Sequence, residues 1–287
     1  MIKNISVKNM ATKRLYISAD IEGVAGVVSG EHMMPGGFEY QQAREWFTAE
    51  VAAACESAFK QGIDEVVVSD SHGNGQSLML DRLPENVQVV RSWPRPLCMM
   101  EGVDVGHYVG AMLIGYHAGA SDLRGALRHT LHGGAITEVR LNGKVASETV
   151  ISAATAAHFG VPIIMVSGDD AYIEHAQSVL PNVVGVTTKW AGSFTSARML
   201  LPALVQQHIA EGTVEALDKL QHFKSGRLPD NIVLEVVCMQ RKAAELLDYL
   251  PNVERTDAYT IKFVGKDMIE ISKFLQFLLA SGSLTPS

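Results

Sequence analysis

The chain of 287 residues predicts an α/β fold, in which a mainly parallel sheet is flanked by helices and followed by a smaller C-terminal α+β segment. Along the first two thirds, apolar runs of strand length alternate with longer helical segments, which is typical of βαβ units. The run Val109–Tyr116 contains no charged residue, as expected of a strand buried on both faces of a parallel sheet. Polar residues follow several of these runs directly, where open parallel sheets bind ligands.

The elements of the first part follow from this pattern. Leu15–Ala19 is predicted to be the first strand because its residues form an apolar run. A long helix is predicted over Glu39–Gln61, where apolar residues recur at helical spacing and Gly62 ends the pattern. The other elements predicted in this part are the strands Glu65–Ser69, Val87–Arg91, Val109–Tyr116 and Val161–Ser167, and the alanine-rich helix Ser147–Phe159.

After residue 190 the pattern changes. Partial alternation over Thr256–Val264 predicts an antiparallel strand there. We therefore divide the chain into an α/β metal-binding catalytic domain, 1–190, and a smaller α+β domain, 191–287, with no low-complexity linker at the boundary. The elements predicted for the second part are helices over Ser193–Glu211 and Val214–Ser225, a strand Asn231–Cys238, a short helix, a strand Thr260–Val264 and a last helix Lys266–Ala280.

Composition excludes several classes of protein. Hydrophobic residues make up 47% and charged residues 19%, which supports a sizeable core and argues against disorder. A net charge of −7 and the lack of any basic run argue against a nucleic-acid partner. The first ten residues lack a secretory h-region, and no apolar stretch is long enough to span a membrane. Three cysteines without a C-x-x-C spacing indicate free thiols, so we expect a cytoplasmic protein.

Two carboxylates stand two residues apart at the end of the first predicted strand, Asp20 and Glu22. Residues i and i+2 of a strand point to the same face, so both carboxylates project together if the strand extends that far. Two like charges beside apolar strands repel each other, and burial raises the cost further. A divalent cation is the simplest means of offsetting that cost.

Histidines follow two other predicted strands, His72 after Asp70-Ser71 and His117 after Tyr116. Either histidine alone is more commonly a hydrogen-bonded loop residue than a metal ligand. Together with the two carboxylates at equivalent strand ends, they form a donor set that suits zinc. With Asp70 at the end of the second strand, about five candidate ligands are present, more than one tetrahedral ion takes, which indicates two metals sharing a carboxylate.

Other polar residues have simpler interpretations. Asp169 and Asp170 more readily cap the helix that follows them, and Glu148, after a possible Ser147 cap, favours the helix dipole. His129 and His132 lie in an ambiguous segment. The chain contains no G-x-G-x-x-G, G-x-x-x-x-G-K-[ST], G-x-S-x-G or H-E-x-x-H motif, so nucleotide-cofactor and serine-hydrolase chemistry lose support.

An ordered series of motifs covers nearly the whole chain after residue 13. The motifs are Ser18-Ala19-Asp20-Ile21-Glu22-Gly23, Ser69-Asp70-Ser71-His72, Gly115-Tyr116-His117-Ala118, Gly125-Ala126-Leu127-Arg128-His129-Thr130, Leu141-Asn142-Gly143 with Glu148, Met165-Val166-Ser167-Gly168-Asp169-Asp170, and Ile261-Lys262-Phe263 with Lys266-Asp267-Met268. This series resembles the zinc-dependent D-aminopeptidases of the DppA type. The chain differs from them in about a dozen extra N-terminal residues and in Arg128, where relatives often have a small residue.

The resemblance implies a specific site and assembly. Asp20 would bridge the two metals, His129 would be the catalytic residue, and His132 has no matching role. The family forms a ring-like decamer whose active sites face an inner channel. We therefore expect removal of N-terminal D-residues such as D-alanine from short peptides by metal-activated water, with His129 as acid, base or oxyanion partner. By resemblance, two zinc ions are held by Asp20, Glu22, His72, His117 and Glu148.

Two other functions stay open at this point. A phosphohydrolase of the haloacid-dehalogenase type would use Asp20 as nucleophile and Asp169 and Asp170 for Mg²⁺. That class expects D-x-D, whereas this chain has Glu22 in the third position, and it has no use for the histidines. A non-enzymatic metal-binding assembly protein would keep the ligands but would not need His129.

Overall fold

The structure is a computed structural model that describes residues 12–285. The expectation drawn from the first ten residues lies outside this range. Within it, the strands are β1 (Arg14–Ala19), β2 (Glu65–Asp70), β3 (Val87–Val90), β4 (Tyr108–Ile114), β5 (Ile136–Leu141), β6 (Lys144–Val145), β7 (Ile163–Asp169), β8 (Val184–Ser193), β9 (Ser196–Met199), β10 (Ile232–Cys238), β11 (Val253–Arg255) and β12 (Thr260–Gly265). The α-helices are α1 (Tyr40–Lys60), α2 (Glu148–His158), α3 (Asp170–Val179), α4 (Pro202–Asp218), α5 (Arg241–Leu247) and α6 (Met268–Ala280).

A seven-stranded sheet forms the larger part, in the order β3-β2-β1-β4-β7-β8-β9. Its strands are parallel except β9, which pairs antiparallel with β8. Alternate residues of β1 pack on opposite faces: Leu15 and Ile17 contact the core under α1 and α4, and Tyr16 joins the core on the other side. Because β1, β2, β4 and β7 are parallel neighbours, their carboxyl ends meet at one edge of the sheet. The predicted mainly parallel α/β fold is confirmed.

A second sheet is antiparallel and has the order β11-β12-β10-β5-β6. Leu234 of β10, Val139 of β5 and Leu275 of α6 share its core. The turn between β5 and β6 uses Asn142 and Gly143, both with positive φ, which is typical of a two-residue hairpin loop. This sheet combines the strands of the C-terminal segment, β10, β11 and β12, with the hairpin β5–β6 from earlier in the chain.

The prediction of a helix over Ser193–Glu211 is wrong in its first part. The chain continues as β8 to Ser193 and returns as β9, and the helix α4 begins only at Pro202. The predicted break before Val214 is also wrong, because α4 runs unbroken to Asp218. Gly212 lies inside this helix where it packs on the sheet: a Cβ there would come within 2.8 Å of Val186 Cγ2. The glycine serves close packing here and does not end the helix.

Sheet membership crosses the boundary predicted at residue 190. The hairpin β5–β6 precedes it but pairs with β10, and α4 follows it but packs against α1 and β8. The division into domains 1–190 and 191–287 therefore stays a prediction. Between residues 12 and 285, none of the helices has both the length and the apolar character needed to cross a bilayer. The three cysteines, Cys55, Cys98 and Cys238, are buried free thiols.

Candidate metal centre

The strand ends bring the six predicted site residues together. Asp20 and Glu22 follow β1, His72 follows β2 and His117 follows β4, while Glu148 opens α2 and His129 lies on the connection from β4 to β5. Histidine nitrogens lie within 4 Å of carboxylate oxygens throughout this group. Asp20, Glu22, His117 and Glu148 are almost fully buried. A charged side chain buried at such a position without a partner of opposite charge carries a large free-energy cost.

Glycines allow the strand ends to approach this closely. A Cβ on Gly23 would lie 2.0 Å from the carbonyl oxygen of Tyr116, and one on Gly115 would lie 2.1 Å from that of Asp20. The Gly23 amide in turn donates to the Gly115 carbonyl at 2.7 Å. Backbone therefore packs directly on backbone between the residues after β1 and those after β4, and this contact fixes the position of Asp20 relative to His117.

We expect Gly115→Ala to destabilise the protein more than Gly62→Ala, and to displace Asp20. Both glycines have positive φ, 71° and 81°, but a Cβ on Gly62 meets nothing within 4 Å. Gly62→Ala should therefore cost only the conformational strain, about 1 kcal/mol, whereas Gly115→Ala adds a clash with backbone. Urea unfolding of both variants with metal analysis measures the difference. Equal losses of stability with full metal content would contradict the role of this contact.

One group of ligand atoms surrounds His117. Its Nε2 lies 3.5 Å from Asp20 Oδ2 and 3.4 Å from Glu148 Oε1. Its Nδ1 lies 2.9 Å from the carbonyl oxygen of Ala118, which can only accept, so Nδ1 carries the proton. Nε2 is then the ring atom that faces the two carboxylates, where a metal ion can bind it. Metal-bound histidines have this arrangement, with the second ring N–H bonded to a backbone carbonyl.

The second group surrounds Glu22. Its Oε1 lies 3.3 Å from His72 Nε2 and 3.9 Å from His129 Nε2. Its other oxygen, Oε2, is buried and has no hydrogen-bond partner within residues 12–285, and the same is true of His117 Nε2. Buried polar atoms are rarely left without partners in this way.

The spacing of these atoms fits a divalent cation. Two ligands bound to a tetrahedral zinc at about 2.0–2.1 Å are separated by about 3.3–3.4 Å. The observed separations of 3.3, 3.4 and 3.5 Å match this span. Asp20, His117 and Glu148 also offer one ligand atom each within 4.8 Å of one another, as do Glu22, His117 and His129. The donor set of imidazoles and carboxylates suits zinc.

The electrostatics of the site also call for cations. Burial and the neighbouring Glu22 raise the pKa of Asp20 well above its ordinary value. Burial would also raise the pKa of Glu22, but His72, His117 and His129 together hold it well below its usual range. Burial would lower the pKa of His117, yet Glu148, Glu22 and Asp20 raise it well above normal. The raised pKa values of His72 and His117 mean that protons on these two rings balance the carboxylates, and a divalent cation can displace those protons.

His129 differs from the other histidines in its exposure. Its side chain is 22% exposed, compared with 2% for His117, whose ring it stacks on at 4.1 Å. Its Nδ1 lies 2.9 Å from the Leu127 carbonyl oxygen and donates to it, which leaves Nε2 facing Glu22 and Glu148. His129 can therefore reach both the metal ligands and a bound substrate.

A cavity of about 340 Å³, called the catalytic cavity below, opens onto the site. Asp20, Glu22, His72, His129 and Glu148 form its polar wall. Its volume and mixed lining are those of a small-molecule site. The apolar part of its lining consists of Trp93, Cys98, Met99, Leu131, Leu279 and Ala280.

The structure reveals a buried lysine that sequence reasoning missed. Lys189 Nζ donates to the backbone carbonyls of Glu22, Val24 and Val27, so this ammonium holds the segment that carries Glu22. Burial lowers its pKa to about 8. No motif in the sequence marks Lys189, because its partners are carbonyls from a distant segment. The β-branched residues Thr187 and Thr188, which precede Lys189, are the local signal from which a strand could have been predicted here.

The remaining predicted residues have structural roles. Asp169 Oδ1 accepts from the Tyr172 amide as the cap of α3, and its Oδ2 accepts from the Ala126 amide. Asp170 Oδ1 accepts from the Ala191 amide. The predicted caps at Asp169 and at Ser147, which begins α2, are therefore both present.

Comparison with known proteins agrees with this geometry. The profile of the D-aminopeptidase family matches residues 13–277. A D-aminopeptidase from Bacillus subtilis (strain 168) is 31% identical over 258 residues, which is 90% of this chain and 93% of that protein. The solved structure of the Zn-dependent D-aminopeptidase DppA from Bacillus subtilis, a self-compartmentalizing protease, superposes with a TM-score of 0.90 at 29% identity and covers 96% of this chain and 99% of that one.

Proposed function

The chain belongs to the D-aminopeptidase family, and we propose that it uses two zinc ions to remove N-terminal D-residues, D-alanine among them, from short peptides. The observation that carries the proposal is the convergence of three carboxylates and three imidazoles on one buried edge of the sheet, beside a cavity of peptide-residue size. The zinc dependence of its structural relative supports the choice of metal.

Each residue of the site has a proposed role. Asp20, Glu22, His72, His117 and Glu148 would hold the two metal ions, with Asp20 as the shared ligand that the resemblance implies. When bound, zinc supplies Lewis acidity, which polarises a carbonyl oxygen and lowers the pKa of water.

His129 transfers the proton in this proposal. Its Nδ1–H is held by the Leu127 carbonyl, so its Nε2 accepts the proton of the attacking water and returns it to the leaving amine. Its partial exposure at the cavity wall is consistent with this role, since a group that moves a proton to substrate must reach it. His117 lies too deep for that task and serves as a ligand.

Both rival functions lose support. Family membership and the use of Asp169 and Asp170 by backbone amides disfavour a haloacid-dehalogenase-like phosphohydrolase. A purely structural metal protein would not need a cavity beside its ligands or an accessible histidine. We further propose a homo-oligomer, a decamer by resemblance, because the structural relative is described as self-compartmentalizing. The cytoplasmic location stays a prediction.

We expect protein depleted of metal by a chelator to be inactive on D-Ala-D-Ala and to regain activity in proportion to added zinc up to two equivalents per chain. The measurement combines elemental analysis with release of D-alanine, and untreated protein and Mg²⁺ addition are the controls. L-Ala-L-Ala should be the poorer substrate. Full activity without metal would end the zinc assignment, and complete recovery at one equivalent would contradict the dinuclear site.

A further inference from the structure

A second cavity meets the catalytic cavity at Glu22 and His129, and we propose that it binds the leaving part of a short peptide, with Arg128 holding the free C-terminal carboxylate. This inference rests on the proposed function and names the substrate class of the same site. The second cavity has a volume of about 530 Å³ and is more open than the first. Glu22 and His129 line both cavities.

The chemistry of the second cavity differs from that of the first. Among the described residues that line it, Arg128 is the one lysine or arginine and Glu22 is the one carboxylate. Polar atoms otherwise come from Thr137, Thr195 and backbone. Its remaining lining is largely apolar and includes Met33, Leu127, Ile136, Phe194 and Met239.

The Arg128 guanidinium is placed and oriented by the protein. Its Nη1 donates to the Gly125 carbonyl at 3.0 Å, and its Cζ lies 5.4 Å from the centre of the Phe194 ring. The hydrogen bonds described for residues 12–285 use one of its five N–H donors. A guanidinium with unused donors beside an apolar wall is suited to bind a carboxylate, often in a bidentate manner.

The position of Arg128 fixes the direction of the peptide. An aminopeptidase cleaves the first peptide bond, so the N-terminal residue lies beside the metal ligands in the catalytic cavity. The guanidinium of Arg128 repels an ammonium and attracts the opposite terminus. The scissile bond then crosses the boundary between the cavities, where His129 Nε2 lies. A general acid must reach the leaving nitrogen, and this placement provides that reach.

The expected substrates are therefore short peptides with a free C-terminus and an apolar residue after the scissile bond. The test compares kcat/KM of metal-loaded protein for D-Ala-D-Ala and for its C-terminal amide. A charge-assisted hydrogen bond should make the free acid about 10-fold or more the better substrate. In Arg128→Ala this ratio should fall to about 1–2. Arg124→Ala is the matched control, since Arg124 pairs with exposed Glu174 and lines neither cavity, and should keep the ratio.

Equal kcat/KM for the acid and the amide with the parent protein would overturn the assignment while leaving the proposed function intact. An unchanged ratio in folded Arg128→Ala would do the same. If that variant does not fold, Arg128→Gln and the comparison of the two substrates with the parent protein decide the matter. Failure of the metal-loaded parent protein to hydrolyse either peptide would overturn the proposed function, and the assignment with it.

Discussion

His129→Ala is expected to lower kcat on D-Ala-D-Ala by about 10²–10⁴-fold while zinc content stays at the parent level. The reason is geometric. His129 Nε2 lies 3.8 and 3.9 Å from Glu148 and Glu22, at the mouth of the site, and its Nδ1–H is fixed by a backbone carbonyl. In the proposed mechanism its removal takes away the proton carrier, but leaves the proposed ligands Asp20, Glu22, His72, His117 and Glu148 in place. Steady-state kinetics and elemental analysis on the same preparation measure both quantities.

His132→Ala is the matched control for this experiment. His132 lines the same catalytic cavity three residues further on, but it is exposed and contacts none of the carboxylates within 4 Å. Its replacement should change kcat by less than about 3-fold. A His129→Ala variant that keeps both its metal and the parent rate would show that His129 is structural. Loss of one zinc from that variant would make His129 a ligand instead, since Nε2 lies within 4.8 Å of ligand atoms on Glu22 and His117.

The convergence of the site was predictable because it follows from topology. Parallel neighbouring strands end at one edge, so polar residues directly after β1, β2 and β4 had to meet. Glu148 could not be assigned in this way, since an acidic residue after a capping serine has an adequate local role in the helix dipole. In the structure Glu148 is the first residue of α2, where its charge favours the helix dipole, and its Oε1 also faces His117. Only the resemblance pointed to that second role.

The missed features depend on partners that are distant in sequence. β5 pairs with β10, about a hundred residues further along the chain, and β11 forms a short local hairpin with β12. Neither β5 nor β11 has a strong periodic pattern in the sequence. Gly212 could be interpreted as a helix break because its packing against Val186 is not visible in the sequence. Lys189 was missed for the same reason, since three backbone carbonyls are its partners. Local patterns predict elements, whereas such tertiary contacts do not leave a local signature.

In the proposed dinuclear site Asp20 neutralises both ions, so its replacement should have the largest effect of all. We expect Asp20→Ala and Asp20→Asn each to lose both zinc ions together and to have no measurable activity on D-Ala-D-Ala. The loss of zinc affinity should exceed the roughly 10–100-fold loss that follows removal of a residue hydrogen-bonded to a metal ligand. In the parent protein the Ile21 amide donates to Asp20 Oδ1 at 2.9 Å. Asparagine keeps this acceptor oxygen, so Asp20→Asn tests the charge alone. Zinc titration of both variants, with peptide hydrolysis measured in parallel, provides the test.

Asp170→Asn is the control for this pair, because Asp170 is also a carboxylate at a strand end but bonds the Ala191 amide and lies outside the ligand group. It should keep two zinc ions and the parent rate. An Asp20 variant that retains two tightly bound ions would rule out the bridging role, and one that loses a single ion would make Asp20 a terminal ligand. Under the phosphohydrolase alternative, Asp20→Asn would instead abolish a phosphatase activity and a phospho-aspartate intermediate. Assaying the parent protein with a phosphate ester therefore separates the two chemistries, because an aminopeptidase site built on these ligands should leave the ester intact.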